Sequence, residues 1–200
     1  MTRVRDRFWL WGHPENRYFN EYGNYRHSRM TPMEGAMYLG VRNMFMIPVG
    51  VKVNPRQYNK SFSALQQVGW SIDNAAASPL ALEELIENAK DFPNISCGVF
   101  DDFVGYLKKH PLAVEKFTAV NNRMHTNEVR PLSMWMVLYT HEFGVDKKED
   151  DWFAPYIQPF DGIIMWTWRE KDVVLFEEKF EIFKRMTANK RRMLGLYLWN

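Results

Sequence analysis

The stretch Ile95-Ser96-Cys97-Gly98-Val99-Phe100-Asp101-Asp102 decides the fold: an apolar run of strand type that ends in two adjacent acids. Two later runs repeat the design. Leu132 to Tyr139 leads into His141-Glu142, and Gly162 to Met165 leads into Trp166-Thr167-Trp168-Arg169-Glu170. Reactive side chains at the ends of successive parallel strands are how a (β/α) barrel builds a site.

Working outward, four more strands are read at Phe8–His13, Asn43–Gly50, Trp70–Asp73 (short) and Arg192–Trp199. Strand starts then recur about every 25–37 residues, the size of a βαβ unit. Helical stretches lie between them. Thr31-Pro32-Met33-Glu34 is a capping box with proline at the first helical position. Ser78-Pro79 opens a helix with the apolar face Leu82, Leu85, Ile86 and Ala89. Phe176, Phe180 and Phe183 line another, with Glu177, Glu178 and Lys179 turned to water. Pro111 opens a fourth, and Phe62–Val68 is read as a fifth.

This alternation predicts a parallel sheet with helices outside. An open doubly wound sheet is the rival, but no GxGxxG or GxxxxGK[ST] loop follows any strand. The expected fold class is therefore α/β, a TIM-type (β/α) barrel. Residues 1–200 read as one such domain with seven strands. A full eightfold barrel takes ~250 residues, so the last β/α unit is expected to be missing.

Within the last strand, Leu194, Leu196 and Leu198 share a face suited to packing under helices. Gly195, Tyr197 and Trp199 share the face that would point inward. Trp9, Trp11 and His13 do the same in the first strand, and Ile164, Trp166 and Trp168 in the sixth. Eight tryptophans in 200 residues is a heavy load. Most must fill the core, yet indole N–H groups want partners, and tryptophans at strand ends suggest an aromatic-lined cleft.

Composition narrows the functions. A net charge of +2, with basic residues dispersed except for Lys190-Arg191-Arg192, gives no electrostatic case for nucleic acid. No run of 18 apolar residues exists, so no membrane span is expected. The start Met-Thr-Arg-Val-Arg-Asp-Arg has no apolar signal core. The chain as given reads as cytoplasmic, or as exported with its signal removed. The single cysteine, Cys97, excludes an internal disulfide and reads as a buried thiol.

Adjacent carboxyls repel, so in Asp101-Asp102 one holds its proton more tightly than the other. Such a split supplies an acid and an ionised neighbour. Glu142, one strand later, is the second-carboxylate candidate. Around them His13, Tyr139, His141, Trp166, Trp168, Arg169, Trp199 and Asn200 are the substrate-binding candidates, with Arg169 and Glu170 as a rim ion pair. No HxH or HExxH pair is present, so no metal and no cofactor is called for.

On Gly98-Val99-Phe100-Asp101-Asp102-Phe103 the chain resembles (β/α)8-barrel glycoside hydrolases. It is similar to the retaining β-N-acetylhexosaminidase-type families, which carry an Asp-Asp or Asp-Glu pair on strand four. Counting from Phe8–His13, Asp101-Asp102 falls on that strand. The resemblance implies that Asp101 orients and stabilises the substrate's acetamido group and that Asp102 is the general acid/base. In the alternative layout, that of two-carboxylate retaining enzymes, the acid sits on strand four and the nucleophile on strand seven, and here strand seven ends Tyr197-Leu198-Trp199-Asn200, without an acid. The departure favours substrate assistance, or Glu142 as the second carboxylate.

The expected function is a carbohydrate-active hydrolase that cleaves a glycosidic bond by carboxylate general acid/base catalysis, with a carbohydrate as its partner. The alternatives are a non-catalytic carbohydrate-binding barrel and a metal-dependent or isomerase-type barrel enzyme.

Overall fold

Seven parallel strands pair in the order in which the chain makes them. The structure, a computed structural model, describes residues 3–21 and 25–197. The strands are β1 (Trp9–Gly12), β2 (Asn43–Met46), β3 (Gln67–Ser71), β4 (Ile95–Phe100), β5 (Ser133–Tyr139), β6 (Gly162–Thr167) and β7 (Arg191–Leu196). Between them run α1 (Pro32–Leu39), α2 (Pro55–Phe62), α3 (Leu80–Asp91), α4 (Phe103–Lys109), α5 (Val114–His125), α6 (Lys147–Ile157) and α7 (Phe176–Met186). Every sheet connection carries at least one helix, as parallel pairing demands.

The sheet is strongly curled. Five strand steps separate β1 from β6, or ~24 Å across a flat sheet. Yet the rings of Trp11 and Trp166 lie 4.6 Å apart between centroids. Only curling brings those inner faces together. Alternation then sorts each strand into two layers. Met44, Met46, Met134, Met136, Leu138, Ile163 and Met165 face the helices, whereas Phe45, Cys97, Val99, Trp135, Val137, Ile164 and Trp166 fill the inside.

Inside the curl, large rings lie over glycines of the next strand. A Cβ on Gly162 would meet the Trp135 ring at 2.3 Å, and one on Gly195 the Trp166 ring at 2.1 Å. Outside, Phe103 is fully buried, with its ring 5.1 Å from both Phe117 and Phe160. That anchor pins the chain immediately after Asp102.

The capping box at Thr31 forms as read: Glu34 N–H donates to Thr31 Oγ1 at 3.2 Å, and Thr31 N–H to Glu34 Oε2 at 2.7 Å. Leu82, Leu85, Ile86 and Ala89 are all buried on α3. Several expectations need correction. The helix expected at Phe62–Val68 lies earlier, at Pro55–Phe62, because Asn54 caps it by accepting the Gln57 N–H at 3.2 Å. Val68 belongs to β3, which starts three residues before the Trp70 expected from sequence.

Helices α4 and α6 come in addition to those named from the sequence. Pro111 lies ahead of α5 rather than at its start. Lys179 does not face water. It is only 6% exposed, and its Nζ donates to the Phe143 carbonyl at 2.6 Å, where the Gly144 turn presents its oxygens. Leu194 and Leu196 remain 47% and 53% exposed, since among the described residues no helix follows β7 to cover them.

Candidate active site

The C-terminal ends of β3, β4 and β5 meet in a chain of hydrogen bonds. The Ser71 hydroxyl donates to Asp73 Oδ2 at 2.6 Å, and the Asp101 N–H donates to Asp73 Oδ1 at 2.6 Å. The Asp102 N–H donates to Asp101 Oδ1 at 2.9 Å, and the Tyr139 hydroxyl to Asp102 Oδ1 at 2.7 Å. Strict alternation would send Asp101 and Asp102 to opposite sides of the sheet. A left-handed backbone at Asp102, φ 47° and ψ 35°, breaks that alternation. Such a conformation is uncommon outside glycine and typical of sites where the surroundings impose it.

Burial drives the electrostatics of this cluster. It pushes the Asp101 carboxyl up to about 8, and the charges of Asp102 and Asp73 add to the rise. Burial likewise lifts Glu142 to about 7 and Asp73 to about 6. Tyr139 is pushed well up by burial and by the two aspartates beside it, so it remains a hydroxyl donor.

These shifts predict a pH dependence of stability. A carboxyl raised on folding keeps its proton over a range in which the unfolded chain has released it, so folding is favoured on the acid side. Burial lowers His13 and His141, which works in the opposite direction below about pH 6.5, where unfolded histidines titrate. Above that point only the carboxyl effect is left, from Asp101 and Glu142. Melting temperature is therefore expected to fall as pH rises from about 6.5 to about 8. A thermal-denaturation series should show that fall, and Asp101→Asn should flatten it.

The other sequence candidates separate into two groups. Tyr139, His141 and Trp168 form one aromatic cluster, with ring centroids 5.5, 5.8 and 6.1 Å apart. Trp168 is 47% exposed and stands at the mouth. Glu142 reaches the same strand end, but its Oε2 accepts the Tyr139 N–H at 2.9 Å, which locks its own turn.

Trp166 is a packing residue. It is 6% exposed, wedged between Trp11 and Tyr197, and offers no open ring face for stacking. His13 donates from Nδ1 to the Ile47 carbonyl at 2.9 Å and ties β1 to β2. Arg169 pairs with Asp172, at 2.7 Å, rather than with Glu170. Trp199 and Asn200 lie outside the described residues.

Asp73 is the functional candidate that the sequence reading missed. The signal was present: it closes the run Trp70–Asp73 read as a strand, one strand before Asp101, as Glu142 stands one strand after. Among the described residues no group of three or more His, Cys, Asp or Glu is arranged to hold a metal ion, and no helix is long and apolar enough to cross a membrane.

The molecule is thus a parallel α/β protein whose curled, barrel-like sheet gathers carboxyls and aromatic rings at its C-terminal strand ends. No protein-family model matches the chain, and no curated protein matches it.

Proposed function

We propose that this protein is a carbohydrate-active hydrolase on the (β/α)8 plan of TIM type, cleaving a glycosidic bond by carboxyl acid/base catalysis. The observation that carries the reading is the Asp101-Asp102 pair. One carboxyl has a proton affinity raised by burial, and the other accepts from Tyr139, whose ring lies 6.1 Å from that of the exposed Trp168.

Asp101 is the proton donor to the leaving-group oxygen, because burial makes it the carboxyl that keeps its proton. Asp102, as carboxylate, stabilises positive charge at the anomeric carbon, or the substrate's acetamido group where hydrolysis is substrate-assisted. This exchanges the roles that the hexosaminidase resemblance implies. The deciding point is depth: Asp102 is exposed and Asp101 half-buried. Turnover needs Asp101 protonated, so it should fall as pH rises through about 8.

Trp168 is the sugar-stacking wall. Trp168→Ala is expected to raise KM about tenfold, or about 1.4 kcal/mol, with kcat nearly unchanged. Steady-state kinetics on a cleaved glycoside would show it. The reading itself is tested with a panel of aryl glycosides, N-acetylhexosaminides included, assayed between pH 4 and 9. Absence of cleavage across the panel and across natural oligosaccharides would sink it.

A binding-only barrel is the second reading. It is favoured by Glu142, which holds its own turn through Oε2 instead of standing free as a nucleophile beside the aspartate pair. Sugar binding without hydrolysis, unchanged by Asp101→Asn, would select it.

A further inference from the structure

We propose that Asp73 is the positioning residue of this site: its carboxylate, fixed by Ser71, holds the Asp101 N–H and so sets the turn that aims Asp101 and Asp102. The inference rests on the reading of Asp101-Asp102 as an acid/base pair and adds a third carboxyl with a different duty.

The geometry assigns that duty. Asp73 lies two residues past the end of β3, and the Ile72 N–H still donates to the Val99 carbonyl at 2.9 Å, so the two strands run side by side up to the site. Both Asp73 oxygens are occupied, Oδ2 by the Ser71 hydroxyl and Oδ1 by the Asp101 N–H, each at 2.6 Å. A carboxylate oxygen bound to a backbone N–H is a strong, directional contact. It fixes the peptide entering Asp101, while the buried Phe103 fixes the chain leaving Asp102. Between these two anchors Asp102 takes its left-handed conformation, and its Oδ1 receives the Tyr139 hydroxyl. The catalytic turn is therefore held from β3, α4 and β5 at once.

Asp73 also acts through its charge. The groups that face Asp101 are Asp73 from the end of β3, Asp102 beside it and Tyr139 from β5. Glu142 and, from α4, Lys108 lie further along the same rim. Among these, Asp73 and Asp102 both raise the proton affinity of Asp101. Neutralising Asp73 must therefore lower it, because a nearby negative charge disfavours ionisation.

Two substitutions separate the duties. Asp73→Asn keeps an oxygen for the Asp101 N–H and removes the charge. Its pH optimum should move to lower pH, with maximal kcat within about threefold of the parent. Asp73→Ala removes the anchor as well. Its kcat should fall at least about tenfold at every pH, with KM within about twofold.

The second readout needs no substrate. Carboxyl carbon NMR of Asp101, assigned by its loss in Asp101→Asn, should titrate at lower pH in Asp73→Asn than in the parent. An unmoved Asp101 midpoint overturns the proposal, whether or not a glycoside is cleaved. So does an Asp73→Ala protein, folded by circular dichroism, with parental kcat on a cleaved glycoside. If no glycoside is cleaved at all, the hydrolase reading falls by itself and the titration alone decides the role of Asp73.

Discussion

Asp101→Asn is expected to lower kcat on unactivated glycosides by about 10²–10⁴-fold, the usual contribution of a positioned general acid. The amide is nearly isosteric and can still accept the Asp102 N–H that Asp101 Oδ1 accepts at 2.9 Å, so the turn survives. What disappears is the proton. The loss should therefore depend on the leaving group. A dinitrophenyl glycoside leaves without protonation and should regain most of its rate, whereas an alkyl glycoside should not. The alkaline limb near pH 8 should vanish with the carboxyl.

Stability runs the other way. Burial and the neighbouring charges of Asp102 and Asp73 oppose ionisation of Asp101, so the amide should melt no lower than the parent at pH 8. Asp102→Asn makes the contrast. It too should cut turnover, but an activated leaving group should not rescue it, because Asp102 serves the anomeric carbon. Full activity of Asp101→Asn on alkyl glycosides would end the assignment of Asp101 as the acid.

Much of this was legible in the amino-acid order, for physical reasons that also explain the misses. Strands β4, β5 and β6 are buried on both faces, so they read as continuous apolar runs, and the polar residues after them marked their ends. Alternation put Trp166 on the inner face, where it packs, but it carries no depth. Trp166 lies level with Gly195, deep in the curl, while Trp168 follows the last paired residue of β6, Thr167. Only a register between neighbouring strands separates the packed ring from the open one.

Asp73 was passed over because β3 looked weak. Gln67-Val68-Gly69-Trp70-Ser71 has polar ends and a glycine at its centre, so only Trp70 and Ser71 of it fall within the short run read as a strand. That glycine is a consequence of packing: a Cβ on Gly69 would meet the Phe45 ring and Cys97 Sγ at 2.6 Å. Helix α4 was hidden because its residues, Phe103-Val104-Gly105-Tyr106-Leu107, are apolar without a helical cap. Asp102 precedes it in a left-handed conformation and caps nothing with its side chain. The same distortion that makes the site obscured the element that follows it.

The inner glycines carry the other large effect. Gly195→Ala should destabilise the fold by about 1–3 kcal/mol, lowering the melting temperature by roughly 3–10 °C for a chain of this size. The backbone at Gly195 is not in the left-handed region, so the cost is one of space alone. The new Cβ would stand 2.1 Å from Trp166 Cε3 and 2.5 Å from Cζ3. A rigid indole cannot bend away as a long flexible chain would. Its retreat is blocked by Trp11, 4.6 Å away between centroids, and by Tyr197 at 5.2 Å.

Gly105→Ala is the internal control. Nothing lies within 4 Å of its added Cβ, and in a helix the change should stabilise by about 0.5–1 kcal/mol. A double-mutant cycle isolates the contact. Trp166→Leu alone opens a cavity and destabilises, but in that background Gly195→Ala should cost little, giving a coupling of more than about 1 kcal/mol. Should Gly195→Ala leave the melting temperature unchanged in the parent, Trp166 is free to swing off β7. The ring would then be available at the mouth, and its place as interior packing would have to be given up in favour of the stacking role read from the sequence.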